Sequence, residues 1–114
     1  QDITNNDMHI IAAIGIDEPR NMTAVAKSMS VTVGTLTIAI NNLVKKGYVS
    51  RARSQEDRRV VLISLTEKGR SAYFHHEDFH KKMVEAVLDE LDEDQIQVLV
   101  KSLMNLKKFF YSYK

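Results

Sequence analysis

The side chains best suited to chemistry lie between residues 32 and 59, and their types suit contact with DNA. Five of them share one face of a segment that runs from about Val33 to Lys46, at a helical repeat of 3.6 residues: Gly34, Thr37, Ile38, Asn41 and Lys45. This face has no acidic residue, whereas an ordinary solvated face mixes Glu and Lys. Asn can bridge the edge of adenine, and Thr or Ile can touch the thymine methyl group. On these residues alone, an ordinary polar surface helix is an equal alternative.

Basic side chains follow this segment on a predicted β-hairpin. Tyr48–Arg53 and Val60–Leu65 are rich in β-branched residues, and the polar stretch Ser54–Arg59 between them suits a turn. We expect Asp57 to hold the loop and to orient an arginine through a charge-assisted hydrogen bond. Cations on a protruding hairpin can follow a phosphate backbone or enter a narrow minor groove. They are Arg51, Arg53, Arg58 and Arg59. A merely solvated hairpin tip is the alternative.

The helix that carries the polar face is defined by an apolar stripe and by signals at both ends. The stripe consists of Leu36, Ala39, Ile40, Leu43 and Val44. Thr32 can cap its start, and Gly47 can end it in a left-handed turn. A shorter helix over Asn21–Met29 and a tight turn at Ser30–Thr32 precede it, which predicts a helix-turn-helix. A further helix is predicted over residues 1–16, capped by Thr4.

A helix followed by a basic hairpin is the layout of a winged helix-turn-helix, and this hairpin resembles one family. Residues 57–69, DRRVVLISLTEKG, match D-x-R-x5-L-T-x-x-G, the wing signature of MarR-type transcriptional regulators. Its fixed positions are occupied by Asp57, Arg59, Leu65, Thr66 and Gly69. Residues 43–49, LVKKGYV, match the family's link from recognition helix to wing. The resemblance implies a DNA-binding transcriptional regulator that acts as a homodimer.

Composition and charge agree with this class and exclude others. Residues 20–70 carry ten Lys or Arg against three acids, a net charge of +7, while residues 1–19 and 71–114 carry −4 and −2. The absence of cysteine excludes disulfides, thiolate zinc sites and the cysteine-based oxidant sensing of some MarR relatives. No apolar run could cross a bilayer and no signal peptide is present, so we expect a cytoplasmic protein without a membrane partner.

The remaining residues predict two long helices. Thr66 is expected to cap one that runs to about Leu91, and Asp92 with Gln95 forms a capping box for the other. Their apolar stripes exceed what a small winged domain can cover, so a second copy of the chain is the economical partner. A two-fold dimer would present two recognition helices to a pseudo-palindromic operator, with half-site centres about 10 base pairs apart.

The fold class expected is therefore mainly α with a small β-hairpin wing. It is a winged helix-turn-helix with long C-terminal dimerisation helices. Residues 1–69 form the DNA-binding region and residues 70–114 the helical dimerisation region of one continuous domain. MarR-like chains usually have a further helix before the one at residues 1–16, and it joins the dimer interface. This sequence starts too late to contain it, which leaves open a truncated start or a dimer that forms without it.

A finer resemblance suggests an effector. Residues 32–37 (TVGTLT), 51–54 (RARS) and 79–85 (FHKKMVE) look like the MarR branch that represses bacterial fatty-acid-synthesis genes. That branch implies acyl-acyl-carrier-protein as a corepressor, whose acyl chain would need an apolar tunnel near the dimer junction. Phe74, Phe79 and Met83 could line it, although core or dimer packing explains them equally well.

Other readings stay open. His76 and His80 are four residues apart on one helix face, so they could contribute to a zinc site, and another small ligand is possible. A dimeric interaction module that no longer binds DNA is a third class, against which the basic unit argues. An enzyme is not expected, because no nucleophile elbow or Gly-rich phosphate loop is present, and no cofactor is implied.

The roles expected on DNA are as follows. Thr35, Thr37, Ile38 and Asn41 would contact bases or the neighbouring phosphates, beside Thr32 and Gly34 at the start of the helix. Arg59 would enter the minor groove, with Asp57 orienting it. Arg51, Arg53, Arg58 and Lys45 would contact phosphates.

Overall fold

The computed structural model describes residues 3–113, and over this range it contains five α-helices and three short β-strands. In chain order they are α1 (Asn5–Ile14), β1 (Arg20–Asn21), α2 (Met22–Ser28), α3 (Val33–Lys45), β2 (Val49–Arg53), β3 (Val61–Leu65), α4 (Glu67–Leu88) and α5 (Glu93–Ser112). The chain divides into two compact units, Gln1–Glu77 and Asp78–Lys114. The expected fold class, mainly helical with a small wing, is confirmed. The functional division after Gly69 stays a prediction.

The first unit is built on an apolar core to which its helices and the strands β2 and β3 contribute. The largest fully buried side chains are Ile10, Ile11, Ile14, Val25, Leu36, Ile40, Leu43 and Ile63. The stripe predicted on α3 is therefore confirmed, with Ala39 and Val44 at its half-buried margin. Because the stripe faces the core, the opposite face of α3 must lie at the surface.

Capping residues set the start of α1. Thr4 and Asp7 form a capping box: the Asp7 amide donates to the Thr4 hydroxyl at 3.0 Å, and the Thr4 amide donates to the Asp7 carboxylate at 3.2 Å. The helix ends at Ile14 rather than residue 16, because Gly15 leaves helical geometry at φ +73°. The first two residues of the predicted helix lie outside the described range, as does Lys114 at the end of the predicted dimerisation region.

The turn between α2 and α3 uses a serine in the left-handed region. Ser30 has φ +58°, its amide donates to the Lys27 carbonyl at 3.1 Å, and the Val31 amide donates to the Ala26 carbonyl at 3.1 Å. These two bonds form a Schellman motif, which stops α2 and redirects the chain. Asn21 was predicted as the first helical residue but is the N-cap of α2 instead.

The sheet has one more strand than the sequence predicted. Its order is β1-β3-β2, with both pairs antiparallel, and Arg20 and Asn21 of β1 lie opposite Ile63 and Leu62. The predicted hairpin of β2 and β3 is present, with Arg51 opposite Ile63 and Arg53 opposite Val61. A two-residue strand is too short to show any periodicity, so β1 could be seen only through its partner.

Close backbone packing explains the end of the family signature. The Thr66 hydroxyl donates to the Gly47 carbonyl at 2.6 Å and accepts from the Gly69 amide at 3.1 Å, so it caps α4 as predicted. A Cβ on Gly69 would lie 2.1 Å from the Tyr48 carbonyl oxygen. These contacts hold the start of α4 against the turn that joins α3 to β2.

The second unit contains the end of α4 and all of α5. α4 ends at Leu88, three residues before the predicted end, and Asp92 with Gln95 makes the predicted capping box of α5. No residue of α5 is buried. Within residues 3–113, no single helix is long and apolar enough to cross a membrane, and α2 with α3 reaches that length only across a 108° bend.

Candidate nucleic-acid interface

The outward face of α3 is polar, exposed and without acid. Gly34, Thr35, Asn41 and Lys45 are exposed, Thr37 is half-buried, and Ile38 is 71% exposed. Thr32 caps the helix, with its hydroxyl accepting from the Thr35 amide at 3.1 Å and donating to the Thr35 hydroxyl at 2.9 Å. Ile38 therefore places one exposed aliphatic side chain among the polar groups of this face.

The wing tip is held by a fork between two side chains. The Arg59 Nε donates to Asp57 Oδ1 and its Nη2 to Oδ2, both at 3.1 Å, while the Arg59 amide donates to Oδ1 at 3.0 Å. Bonds from the Arg59 side chain and backbone lower the pKa of Asp57. Asp57 thus orients an arginine as the sequence predicted, and the Arg59 side chain remains 91% exposed.

Backbone bonds and a second arginine stiffen the rest of the loop. The Val60 amide donates to the Asp57 carbonyl at 2.9 Å, which closes a β-turn around Arg58 and Arg59. The Arg53 Nη1 donates to the Arg58 carbonyl at 2.8 Å, across the hairpin. Arg53 and Arg58 remain exposed cations on this braced loop.

The structure also joins two predicted site residues that the sequence left apart. Arg51 of β2 donates from Nη1 to the Asn41 Oδ1 on α3. The sequence contains a sign of this contact, because every second residue of a strand lies on the same sheet face. Val49, Arg51 and Arg53 share one face, and Val49 on that face is buried. A side chain two residues from a core residue on the same face extends along the helix that packs there.

Four of the ten basic residues of the positive segment bond elsewhere within the first unit. Arg20 donates to the Ala13 carbonyl at 2.5 Å and Arg70 to the Ile16 carbonyl at 2.9 Å, near the end of α1. Lys46 pairs with Asp7 at 2.9 Å, and the Lys68 ammonium donates to the Lys46 carbonyl at 2.8 Å. Lys68 and Arg70 remain exposed, but the internal bonds direct these four cations away from the wing, whose arginines are also exposed.

The candidate effector residues all lie on α4. Phe74, Phe79 and Met83 are 50%, 59% and 45% exposed, so the described part of one chain does not enclose them. His76 is half-buried and His80 is exposed. In the part of the chain that the structure describes, no three His, Cys, Asp or Glu side chains come together to hold a metal ion.

Comparison with known proteins identifies the architecture. The family model described as transcriptional regulator SarA/Rot matches residues 1–76. The structure of FabT from Streptococcus pneumoniae in complex with DNA superposes with a TM-score of 0.91 at 44% identity, over 99% of this chain and 79% of that one. The chain belongs to the SarA/Rot family of MarR-like transcriptional regulators.

Other MarR-like relatives agree with this assignment. A mutant of Escherichia coli MarR complexed with operator DNA has a TM-score of 0.71 at 26% identity, over 92% of this chain and 76% of that one. SarZ of Staphylococcus aureus is 30% identical over 115 residues, 99% of this chain and 76% of the relative. The chain spans only 51–60% of the length of the three curated relatives that match first. These relatives are transcriptional regulators rather than enzymes, as expected.

Proposed function

We propose that this MarR-like chain is a cytoplasmic, homodimeric repressor that binds a pseudo-palindromic operator. The observation that carries the proposal is the exposed, acid-free face of α3 in the same compact unit as a wing arginine held in a carboxylate fork. The DNA-bound state of the similar FabT and MarR structures supports it. Docking of such a face in the major groove would place the wing along the neighbouring backbone.

The side chains on α3 divide by what they can contact. Ile38 offers an apolar surface to thymine methyl groups, and Asn41 offers hydrogen bonds to base edges. The hydroxyls of Thr35 and Thr37 and the capping group of Thr32 can reach bases or phosphates near the helix start. The Thr37 hydroxyl already donates to the Val33 carbonyl at 2.8 Å, so it would act on DNA as an acceptor or through its methyl group.

Cations on the wing and at the end of α3 supply most of the affinity in this proposal. Arg59, oriented by Asp57, enters the minor groove, while Arg53, Arg58 and Lys45 meet phosphates. Phosphate contacts release counterions, so binding should weaken steeply as salt is raised. Arg59→Ala should lower operator affinity, whereas Lys101→Ala on α5 serves as a control that removes a cation from the second unit.

The second unit supports the homodimer. α5 has a row of half-exposed apolar side chains, of which Val100, Leu103, Leu106 and Phe110 are 50–61% exposed. A single chain would not leave so much apolar surface in water. Leu103→Asp should convert the dimer to monomers in sedimentation velocity experiments. It should also weaken operator binding, because two linked half-site contacts become independent ones.

The effector in this proposal is long-chain acyl-acyl-carrier-protein, and the regulated genes are those of fatty-acid synthesis. The 44% identity to FabT supports this finer assignment, together with the sequence resemblance to the fatty-acid branch. Phe74, Phe79 and Met83 supply exposed apolar surface on α4 that an acyl chain could use once a second copy encloses it. A free acidic carrier would lack the acyl group that this surface recognises.

Fluorescence anisotropy with a labelled fatty-acid-synthesis promoter fragment tests the proposal. The full protein is titrated at fixed salt alone, with long-chain acyl-acyl-carrier-protein, with the free carrier, and with zinc. DNA affinity that rises with the acylated carrier, but not with the free carrier or with zinc, supports the complete proposal. Salt-sensitive DNA binding with an affinity that the acylated carrier does not change would support the DNA-binding role and reject this effector. A change of DNA affinity with zinc would instead favour a metal site that includes His76 and His80. No salt-sensitive DNA binding would reject the proposed function and favour an interaction module.

A further inference from the structure

We propose that Arg51 contacts a base and that, together with Asn41, it selects guanine at one position of each half-site. The inference rests on the proposed DNA-binding function and deepens it, because it assigns a base preference to one pair of side chains. It changes the role expected for Arg51, which the sequence assigned to the phosphate backbone.

The first step is the position of Arg51. It lies opposite Ile63 in the antiparallel pair and shares a sheet face with Val49, and both of these neighbours are buried. Directly opposed residues project to the same side of the sheet. The Arg51 side chain therefore runs out of the core beside α3, and its guanidinium reaches the outward face of the helix at Asn41.

The second step is the orientation of the Asn41 amide. Arginine has only donors, so the amide oxygen must face it and the amide nitrogen must point away. In the opposite orientation, two sets of N–H groups would meet. The contact from Arg51 therefore fixes which end of the amide is available, and the outward end is the donor Nδ2.

The third step compares the major-groove edges of the purines. Adenine pairs with asparagine in a bidentate manner only if Oδ1 accepts from the adenine amine while Nδ2 donates to N7. Here one of the two lone pairs of Oδ1 already accepts from the Arg51 guanidinium, so an adenine amine on the other would lie against the N–H groups of that cation. Guanine presents two acceptors, N7 and O6, and no donor at these positions. The joined side chains offer only donors outward, so they complement guanine.

Arg53 provides a matched control within the same strand. It lies two residues further along β2, on the same sheet face, and is also exposed. Its guanidinium donates to the Arg58 carbonyl in the wing loop rather than to α3. Truncating either arginine removes one cation and the same number of atoms, but only Arg51→Ala releases Asn41.

Selection from randomised duplexes, followed by sequencing and affinity measurement, tests the inference on the full protein. The wild type should enrich a G·C pair at one position of each half-site. Arg51→Ala should reduce that preference by roughly 5- to 150-fold, the range of a good bidentate base contact. Arg53→Ala should lower affinity for all sequences and leave the preference in place. Arg51→Lys keeps the charge but lacks the fork, so it should retain non-specific binding and lose most of the preference.

The outcomes separate the two proposals. An enriched operator whose base preferences are the same for the wild type and Arg51→Ala would overturn the guanine assignment and leave the DNA-binding function standing. An adenine preference that Asn41→Ala abolishes and Arg51→Ala preserves would do the same. A wild-type protein that enriches no sequence and binds no DNA would overturn both. Retention of non-specific binding shows that each variant is folded.

Discussion

Exchanging Gly69 for alanine should destabilise the protein strongly, because the added methyl group has no room. Its Cβ would lie 2.1 Å from the Tyr48 carbonyl oxygen and 3.2 Å from the Leu65 Cβ. A separation of at least 3.0 Å requires a movement of about 0.9 Å. Tyr48 cannot yield easily, since its side chain is buried and its carbonyl accepts from the Thr66 amide at 3.0 Å.

The magnitude follows from the rigidity of both partners. Overpacking a well-ordered site costs roughly 1–3 kcal/mol, and a clash with backbone belongs at the upper end, at about 3 kcal/mol. For a domain of this size, the midpoint of thermal unfolding should fall by more than about 10 °C. Circular dichroism measures it, at one protein concentration for all variants because dimerisation also shifts the midpoint.

Gly34→Ala is the matched control for the same chemical change. A Cβ at Gly34 would meet nothing nearer than the Thr32 hydroxyl at 3.9 Å, and the position is helical. This substitution should therefore stabilise the protein by about 0.5 kcal/mol, since alanine loses less backbone entropy than glycine. It should nevertheless weaken operator binding if the start of α3 approaches DNA closely. Equal loss of stability in both variants would refute the argument from close packing, as would a Gly69→Ala protein that melts like the wild type.

The wing, an acidic residue of α1 and the helix-turn-helix turn each give one further expectation. Arg59→Ala should weaken operator binding and reduce the dependence of log affinity on log salt by about one unit without changing the melting temperature; unchanged affinity would refute its role on DNA. Burial raises the pKa of Asp7, but hydrogen bonds and charge from Lys46 and hydrogen bonds from Thr4 outweigh this and hold it below its ordinary value. Asp7 therefore stabilises the fold fully above the unfolded pKa, and this contribution disappears as pH falls through the folded pKa. Asp7→Asn should remove this part of the acid dependence of urea unfolding, and an unaltered pH profile would contradict it. Ser30→Gly should raise stability by about 1 kcal/mol, because φ +58° strains a side chain; a lower melting temperature would mean that Ser30 makes a needed contact.

The sequence was sufficient to predict those features that depend on residues close together in the chain. The apolar stripe of α3, the caps at Thr4, Thr32, Thr66 and Asp92, and the β2–β3 hairpin all appear as predicted. In each of these, the residues that decide the structure are at most four positions apart in a helix, or face each other across one short turn. Their periodicity or capping chemistry is visible without knowledge of the fold.

Contacts between distant elements were not predictable in the same way. The Lys46–Asp7 pair joins residues 39 positions apart, and β1 exists only because β3 pairs with it. Charge patterning counted Arg20, Lys46, Lys68 and Arg70 as part of a basic footprint, although each donates to a group outside the wing and the outward face of α3. Composition gives the total charge, but only the folded chain shows which cations remain for a partner.

The wing signature combines residues that act in different ways. Leu65, Thr66 and Gly69 pack and cap the start of α4, so changing them should alter stability before it alters DNA affinity. Asp57 and Arg59 bond to each other on an exposed loop and contribute little to the core, so changing them should alter DNA affinity alone. The sequence signature cannot separate the structural residues from the DNA-contacting residues, because both groups occupy fixed positions of the signature. Burial and hydrogen bonding distinguish the two groups of residues. A side chain that is exposed and contributes little to stability, but is held in one orientation by hydrogen bonds, is available to contact a partner.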